Sequence, residues 1–195
     1  IPVPASRLLR IGDRSVLLLR RFDRSGANRI PYISGLTAVQ GRDGERYSYL
    51  ELASFIEEEG SRPTIDLHAL WTRALFSCAV GNTDNHLRNY GFLREASGWR
   101  LSPAFDVNAT PGSEVKYLAT GLDFDGREAD LEAAFAVSDF FRLGIADARD
   151  IASSMVRTLE GWRRAARADG ISEASIEYMA DCFETGVCKL KRLVR

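Results

Sequence analysis

The chain has 195 residues, of which 45% are hydrophobic and 27% charged, with a formal net charge of −1. That balance suits one domain, or one large lobe of a bigger protein, with a core of real size. It excludes a general nucleic-acid or membrane-surface binder, which needs a strong basic excess. No apolar run approaches the roughly 18 residues of a membrane span and no signal peptide is visible, so no membrane partner and no direct nucleic-acid binding are expected. The cysteines Cys78, Cys182 and Cys188 are odd in number and form no C-x-x-C pair, which points to structural or idle thiols in a reducing, cytoplasmic setting.

The first thirty residues hold Arg7, Arg10, Arg14, Arg20, Arg21, Arg24 and Arg29 against Asp13 and Asp23, a local excess that reads as a solvated face or as a phosphate-facing edge. After the turn signal Gly12-Asp13, the continuous run Val16-Leu17-Leu18-Leu19 predicts a buried strand. Residues 25–46 are rich in Gly, Ser, Asn, Asp and Arg and predict mostly loop. Ser48 followed three residues later by Glu51 is a capping-box pattern, and Leu52, Phe55 and Ile56 then fall at helical spacing until Gly60. A second helix is expected from a Thr64 cap to Gly81, with Asp66 in its first turn and Leu67, Leu70, Trp71, Leu75 and Val80 largely buried. Tyr90-Gly91-Phe92-Leu93, the turn Glu95–Gly98 and Trp99-Arg100-Leu101 predict a hairpin that Pro103 ends. Residues 107–128 read as irregular and partly strand-forming. Helical patterns follow near 130–142, 148–168 and 173–192, with Asp147 and Ser172 as caps and Ile151, Met155, Leu159 and Trp162 on one apolar face.

The densest polar cluster is Asn82-Thr83-Asp84-Asn85-His86-Leu87-Arg88-Asn89, set between a buried helix and a strand. Reactive groups concentrate on such loops. It contains Asp84-x4-Asn89, and after the hairpin comes Phe105-Asp106-Val107-Asn108. Phosphoryl transfer needs one carboxylate to orient a hydroxyl and accept its proton, and hard oxygen ligands to hold magnesium against nucleotide phosphates. An Asp and an Asn four residues apart, with a second Asp returned by a hairpin, meet that requirement. The same residue types also cap helices and shape turns, so spacing alone leaves a structural role for Asp84 and Asn89 equally open.

Asn82–Asn89, then Phe92-Leu93 and Gly98–Asp106, together with Arg21-Phe22-Asp23-Arg24 after an apolar strand, resemble the C-terminal region of the HipA kinases, from near residue 1 to about 165. The resemblance implies an α+β, mainly helical fold: a protein-kinase-like C-terminal lobe with a small β-hairpin at the active site. Residues 1–30 would supply a strand and hinge and residues 31–195 the helical lobe. It implies ATP and Mg2+ as cofactors, Asp84 as the catalytic base, and Asn89 and Asp106 as metal ligands. His86 would lie beside the nucleotide phosphates, Arg20-Arg21-Phe22 would be the hinge that reads the adenine edge, and Phe105 would line the nucleotide pocket. The substrate would be a protein serine or threonine. Many members are toxins whose partner is a small DNA-binding antitoxin.

The chain departs from the family pattern in having no glycine-rich phosphate loop and no lysine before Lys116, and it starts at Ile1 without methionine. The expectation is therefore a fragment lacking the nucleotide-covering N-terminal lobe, weak or inactive by itself. Two other readings compete. One is a catalytically silent binding module. The other is a small-molecule phosphotransferase, whose floor motif usually carries a histidine where this chain has Asn82. Elsewhere, Asp123-Phe124-Asp125-Gly126 reads as a turn rather than a calcium loop. His68 and Cys78 read as structural, and Trp71, Trp99 and Trp162 as core residues.

Overall fold

In the computed structural model, which describes residues 1–124 and 126–194, the chain opens as a two-stranded antiparallel ribbon. Strand β1 (Ser6–Ile11) pairs with β2 (Arg14–Leu19) across a turn at Gly12, whose φ of 63° favours glycine. The strand expected at Val16–Leu19 is present, but it is not buried: Leu17 and Leu18 are 59% and 50% exposed. Two strands by themselves have no second layer to pack on, and none covers them among the described residues. Segment 25–46, expected as loop, holds short elements: β3 (Arg24–Ser25) paired with β4 (Asn28–Arg29), then β5 (Tyr32–Ser34) and a single helical turn, α1 (Gly35–Ala38). Their brevity leaves no apolar period for a sequence reading to find.

Strand β6 (Tyr47–Ser48) leads into α2 (Tyr49–Glu59). Both arms of the capping box are made, with the Ser48 hydroxyl on the helix amides and Glu51 receiving the Ser48 N–H at 2.7 Å. Helix α3 (Pro63–Val80) follows, and its start differs from expectation. Pro63 occupies the first helical position, where its missing N–H costs nothing, and Thr64 lies inside the helix instead of capping it. The stop is as expected, with Gly81 left-handed at φ 61°. Helix α3 is buried almost all round, as a central helix must be. Leu67, Leu70, Trp71 and Leu75 are fully buried, and the Trp71 indole donates to Ala134 O at 2.8 Å.

The expected hairpin is β7 (Gly91–Glu95) and β8 (Gly98–Leu101), and β5 adds to it as a third strand in the order β5-β7-β8, all antiparallel. Asp66, predicted only to favour the helix dipole, is buried and accepts the Leu101 N–H at 2.9 Å, fastening the hairpin to α3. Burial raises its carboxyl pKa. The irregular stretch 107–128 contributes β9 (Thr120–Gly121), parallel to β6. Gly126 donates its N–H to Asp123 Oδ1 at 2.8 Å, as a turn would; Asp125 lies outside the described residues.

The remaining helices follow in the second half of the chain, some of them against α3. They are α4 (Leu131–Ala136), α5 (Ile145–Leu159), α6 (Trp162–Ala168), α7 (Glu173–Tyr178) and α8 (Ala180–Leu193). The 148–168 pattern is thus two helices broken at Gly161. Gly144, not Asp147, precedes α5, while Ser172 caps α7 as expected. Gly186 lets α8 approach α3, since a Cβ there would come within 1.8 Å of Ala79 O. Trp71 is a core residue, whereas Trp99 and Trp162 are half-buried, the latter stacked on Phe183 at 4.6 Å. No helix among the described residues is long and apolar enough to cross a membrane.

Candidate functional site

Helix α3 delivers the polar loop directly. Gly81 reverses the chain, Asn82 N–H bonds back to Ser77 O at 2.8 Å, and a 3-10 turn over Leu87–Asn89 ends the loop against β7. The loop is held from below by Asn85, which sequence reasoning left without a role. Asn85 is buried; its Oδ1 accepts from Ala119 N at 2.8 Å and Thr120 N at 3.2 Å, and its Nδ2 donates to Tyr49 Oη at 2.9 Å and Thr120 O at 3.2 Å. Tyr49 and Tyr90 share a 2.5 Å hydroxyl contact, and burial raises both phenol pKa values, keeping them protonated. With Asn85 saturated below, its neighbours Asp84 and His86 are free to face outward.

Asp84 is exposed, with 68% of its side chain accessible, and stands 3.6 Å from His86 Nε2. Asn89 donates from Nδ2 to the Asp84 carbonyl at 2.8 Å, tying the ends of the Asp-x4-Asn segment together. Its Oδ1 carries no hydrogen bond among the described residues. Asp106 emerges after the hairpin at φ 54°, a left-handed conformation that Asp tolerates better than most side chains and that clusters at functional positions. One of its oxygens accepts from Asn108 Nδ2 at 3.1 Å.

Asn89 and Asp106 line one cleft of about 500 Å³, although 17 residues and a hairpin separate them in sequence. Its walls come from α3, α5 and the chain around Ala104–Val107, and Ile1 and Val3 border it. Asp84 stands at the loop beside this cleft rather than on its wall. His86 borders a different depression, with Asp43, Arg88 and Thr120, and its buried Nδ1 has no hydrogen-bond partner among the described residues. The expected hinge Arg20-Arg21-Phe22 forms a separate hollow of about 240 Å³ with Leu19, Asp23, Tyr32 and Phe105. Phe105 borders both spaces and packs on Phe22 at 5.6 Å between ring centroids, so it joins the hinge segment to the cleft. The paired Arg21 and Arg24 guanidiniums hold the Asp23 carboxyl down at about 2, with the Arg21 hydrogen bond the larger cause.

Among the described residues no three His, Cys, Asp or Glu side chains gather as a metal site. Asn89 Oδ1 and the Asp106 carboxylate nevertheless suit a hard cation that keeps most of its waters, since magnesium is commonly held by one or two protein oxygens plus substrate phosphates. Cys78 is buried, its pKa raised by burial, and unfit as a nucleophile. His68 bonds to Arg142 O at 3.2 Å, a structural role.

Several known proteins are similar to this chain. HipA of Shewanella oneidensis, solved in a toxin–antitoxin complex with HipB and operator DNA, superposes with a TM-score of 0.74 over 98% of this chain at 18% identity, a likeness of fold. A Haemophilus influenzae protein described as "Putative kinase" is 31% identical over 78 residues, 38% of this chain. The chain covers 52% of the former, and its match covers 23% of the latter. The family model for the HipA-like C-terminal domain matches residues 1–163. With its kinase-like α+β architecture and that match over most of its length, the chain belongs to the HipA-like C-terminal domain family.

Proposed function

We infer that this domain is the catalytic-loop half of an ATP- and magnesium-dependent serine/threonine protein kinase of the HipA type. The observation that carries the reading is the meeting of Asn89 and Asp106 on one cleft wall, with Asn89 bonded to the backbone of Asp84. Asp84 is the group that orients the acceptor hydroxyl and takes its proton as the oxygen forms a bond to the γ-phosphorus and the bond to the β-phosphate oxygen breaks. Asn89 and Asp106 offer their oxygens to the metal, which when bound neutralises charge on the phosphates. Arg20-Arg21-Phe22 and Phe105 take the adenine side. His86 serves the phosphates only if its ring turns out of the depression it now borders. The nucleotide-covering half is expected from a segment outside this chain, and this chain alone should transfer phosphate weakly. A toxin role with a small DNA-binding antitoxin is supported by the assembly in which the Shewanella HipA was solved, and a cytoplasmic setting goes with that reading.

The test is transfer from radiolabelled ATP by the complete polypeptide to itself or to protein acceptors. Asp84→Ala should lower the rate by roughly 10²–10⁴-fold without changing the melting temperature. Asp106→Ala should weaken magnesium-dependent nucleotide binding. Undiminished turnover in both variants sinks the reading, as does a wild-type protein that binds no Mg-nucleotide.

A further inference from the structure

Arg73 stands apart from every other basic residue. It lies on α3 at 6% exposure, and it borders the 500 Å³ cleft. Its Nη2 donates to Ser102 O, while Nε and Nη1 have no hydrogen-bond partner among the described residues. Burial pulls its pKa down to about 10, so it still carries its charge at neutral pH. Among the described residues no carboxylate forms an ion pair with it: Asp66, whose charge it feels, is engaged by Leu101 N–H and by Arg62 at 3.8 Å, Asp106 on the same cleft accepts from Asn108, and the nearby Tyr49 and Tyr90 hydroxyls are protonated and bonded to each other. A buried charge without an ion-pair partner is unfavourable, and pairing it with an anion relieves that cost.

Much of the rest of the wall is apolar, although Asn89 and Asp106 also line it. Phe76 from α3, Ile151, Met155 and Leu159 from α5, and Val3 and Val107 present carbon to an opening that reaches solvent. An apolar groove with one desolvated cation at its wall is complementary to an apolar surface that carries one anion. The run of Ile1–Val3 along the rim, with Pro2 O accepting Ala104 N–H at 2.8 Å, shows that extended polypeptide already packs at this edge.

We propose that the α3–α5 cleft is a docking site for an apolar polypeptide segment bearing one Asp or Glu, whose carboxylate pairs with Arg73. The carboxylate replaces the missing counter-ion, and the flanking apolar side chains cover Phe76, Met155 and Leu159. This does not depend on phosphoryl transfer, and its test reads binding only.

The 1–195 chain is immobilised and a random 12-residue peptide phage library is selected against it. The recovered sequences should share an acidic residue flanked by apolar ones. A synthetic peptide from that set should bind the wild type about 10- to 100-fold more tightly than it binds Arg73→Met, and its own Glu→Gln version should lose as much. Thr158→Trp, which fills the cleft from an exposed position on α5, should abolish binding and keeps the test open if Arg73→Met fails to fold. A selection that yields no Arg73-dependent peptide overturns the proposal. So does displacement of the peptide from Arg73 by pyrophosphate at low concentration, which would assign the charge to nucleotide phosphates.

Discussion

Helix α3 and the β1–β2 ribbon are built from much the same apolar residues and end in opposite states. Leu67, Leu70, Trp71 and Leu75 have no exposed surface, whereas Leu8, Ile11, Leu17, Leu18 and Leu19 remain between 42% and 62% exposed. The difference lies in cover. Helix α3 is wrapped by α2, α4, α5, α8 and the hairpin, while each face of the ribbon meets little besides solvent. The 82–89 loop hangs from the covered region, and the Arg20–Phe22 segment from the uncovered one. One side of the proposed site is therefore seated on the core, and the other on the exposed ribbon.

That contrast can be broken by substitution. Trp71→Ala removes the largest fully buried side chain together with its hydrogen bond to Ala134, and should cost about 3–5 kcal/mol by chemical denaturation; a loss below 1 kcal/mol would mean that the core is not centred on α3. Asn85→Ala leaves the Ala119 and Thr120 amides without their acceptor and should cost about 1–3 kcal/mol. Hydrogen exchange should show the 82–89 loop loosened in that variant. Leu17→Ser, in the ribbon, should change stability by no more than about 0.5 kcal/mol in the 1–195 chain. A much larger loss in the complete polypeptide would show that the ribbon is covered there. The smallest effect concerns Asp23. Its pKa is depressed in the folded state, so its contribution is present above the ordinary carboxylate value and lost as pH falls through about 2. A carboxyl carbon titration by NMR should place the midpoint there, and a midpoint near 4 would mean that Arg21 and Arg24 do not hold it.

Where the sequence was legible, the signal was local. Ser48 and Glu51 announce α2 because the capping box is closed within four residues, and Gly81 announces the end of α3 because only glycine enters the left-handed region freely. The hairpin was readable from its turn and from Pro103. Thr64 misled because Pro63, one residue earlier, starts a helix without a side-chain cap. Val16–Leu19 misled because a continuous apolar run reports hydrophobicity and not what lies above it. Asp84, Asn89 and Asp106 could be singled out by residue type and spacing. Asn85, Asp66 and Arg73 could not, since their partners Thr120, Leu101 and Ser102 are 35, 35 and 29 residues away.

By itself the sequence determined the Ser48 and Ser172 caps, the Gly81 stop, the hairpin and the family to which the chain belongs, because these depend on bonds and motifs within a few neighbouring residues. Only the tertiary structure decided that Asn89 and Asp106 share a cleft while His86 borders another depression, and that among the described residues the ribbon stays uncovered and the buried Arg73 has no ion-pair partner. Those outcomes depend on which surfaces meet across long loops. Burial and charge compensation are properties of the packed assembly, and no single segment carries them.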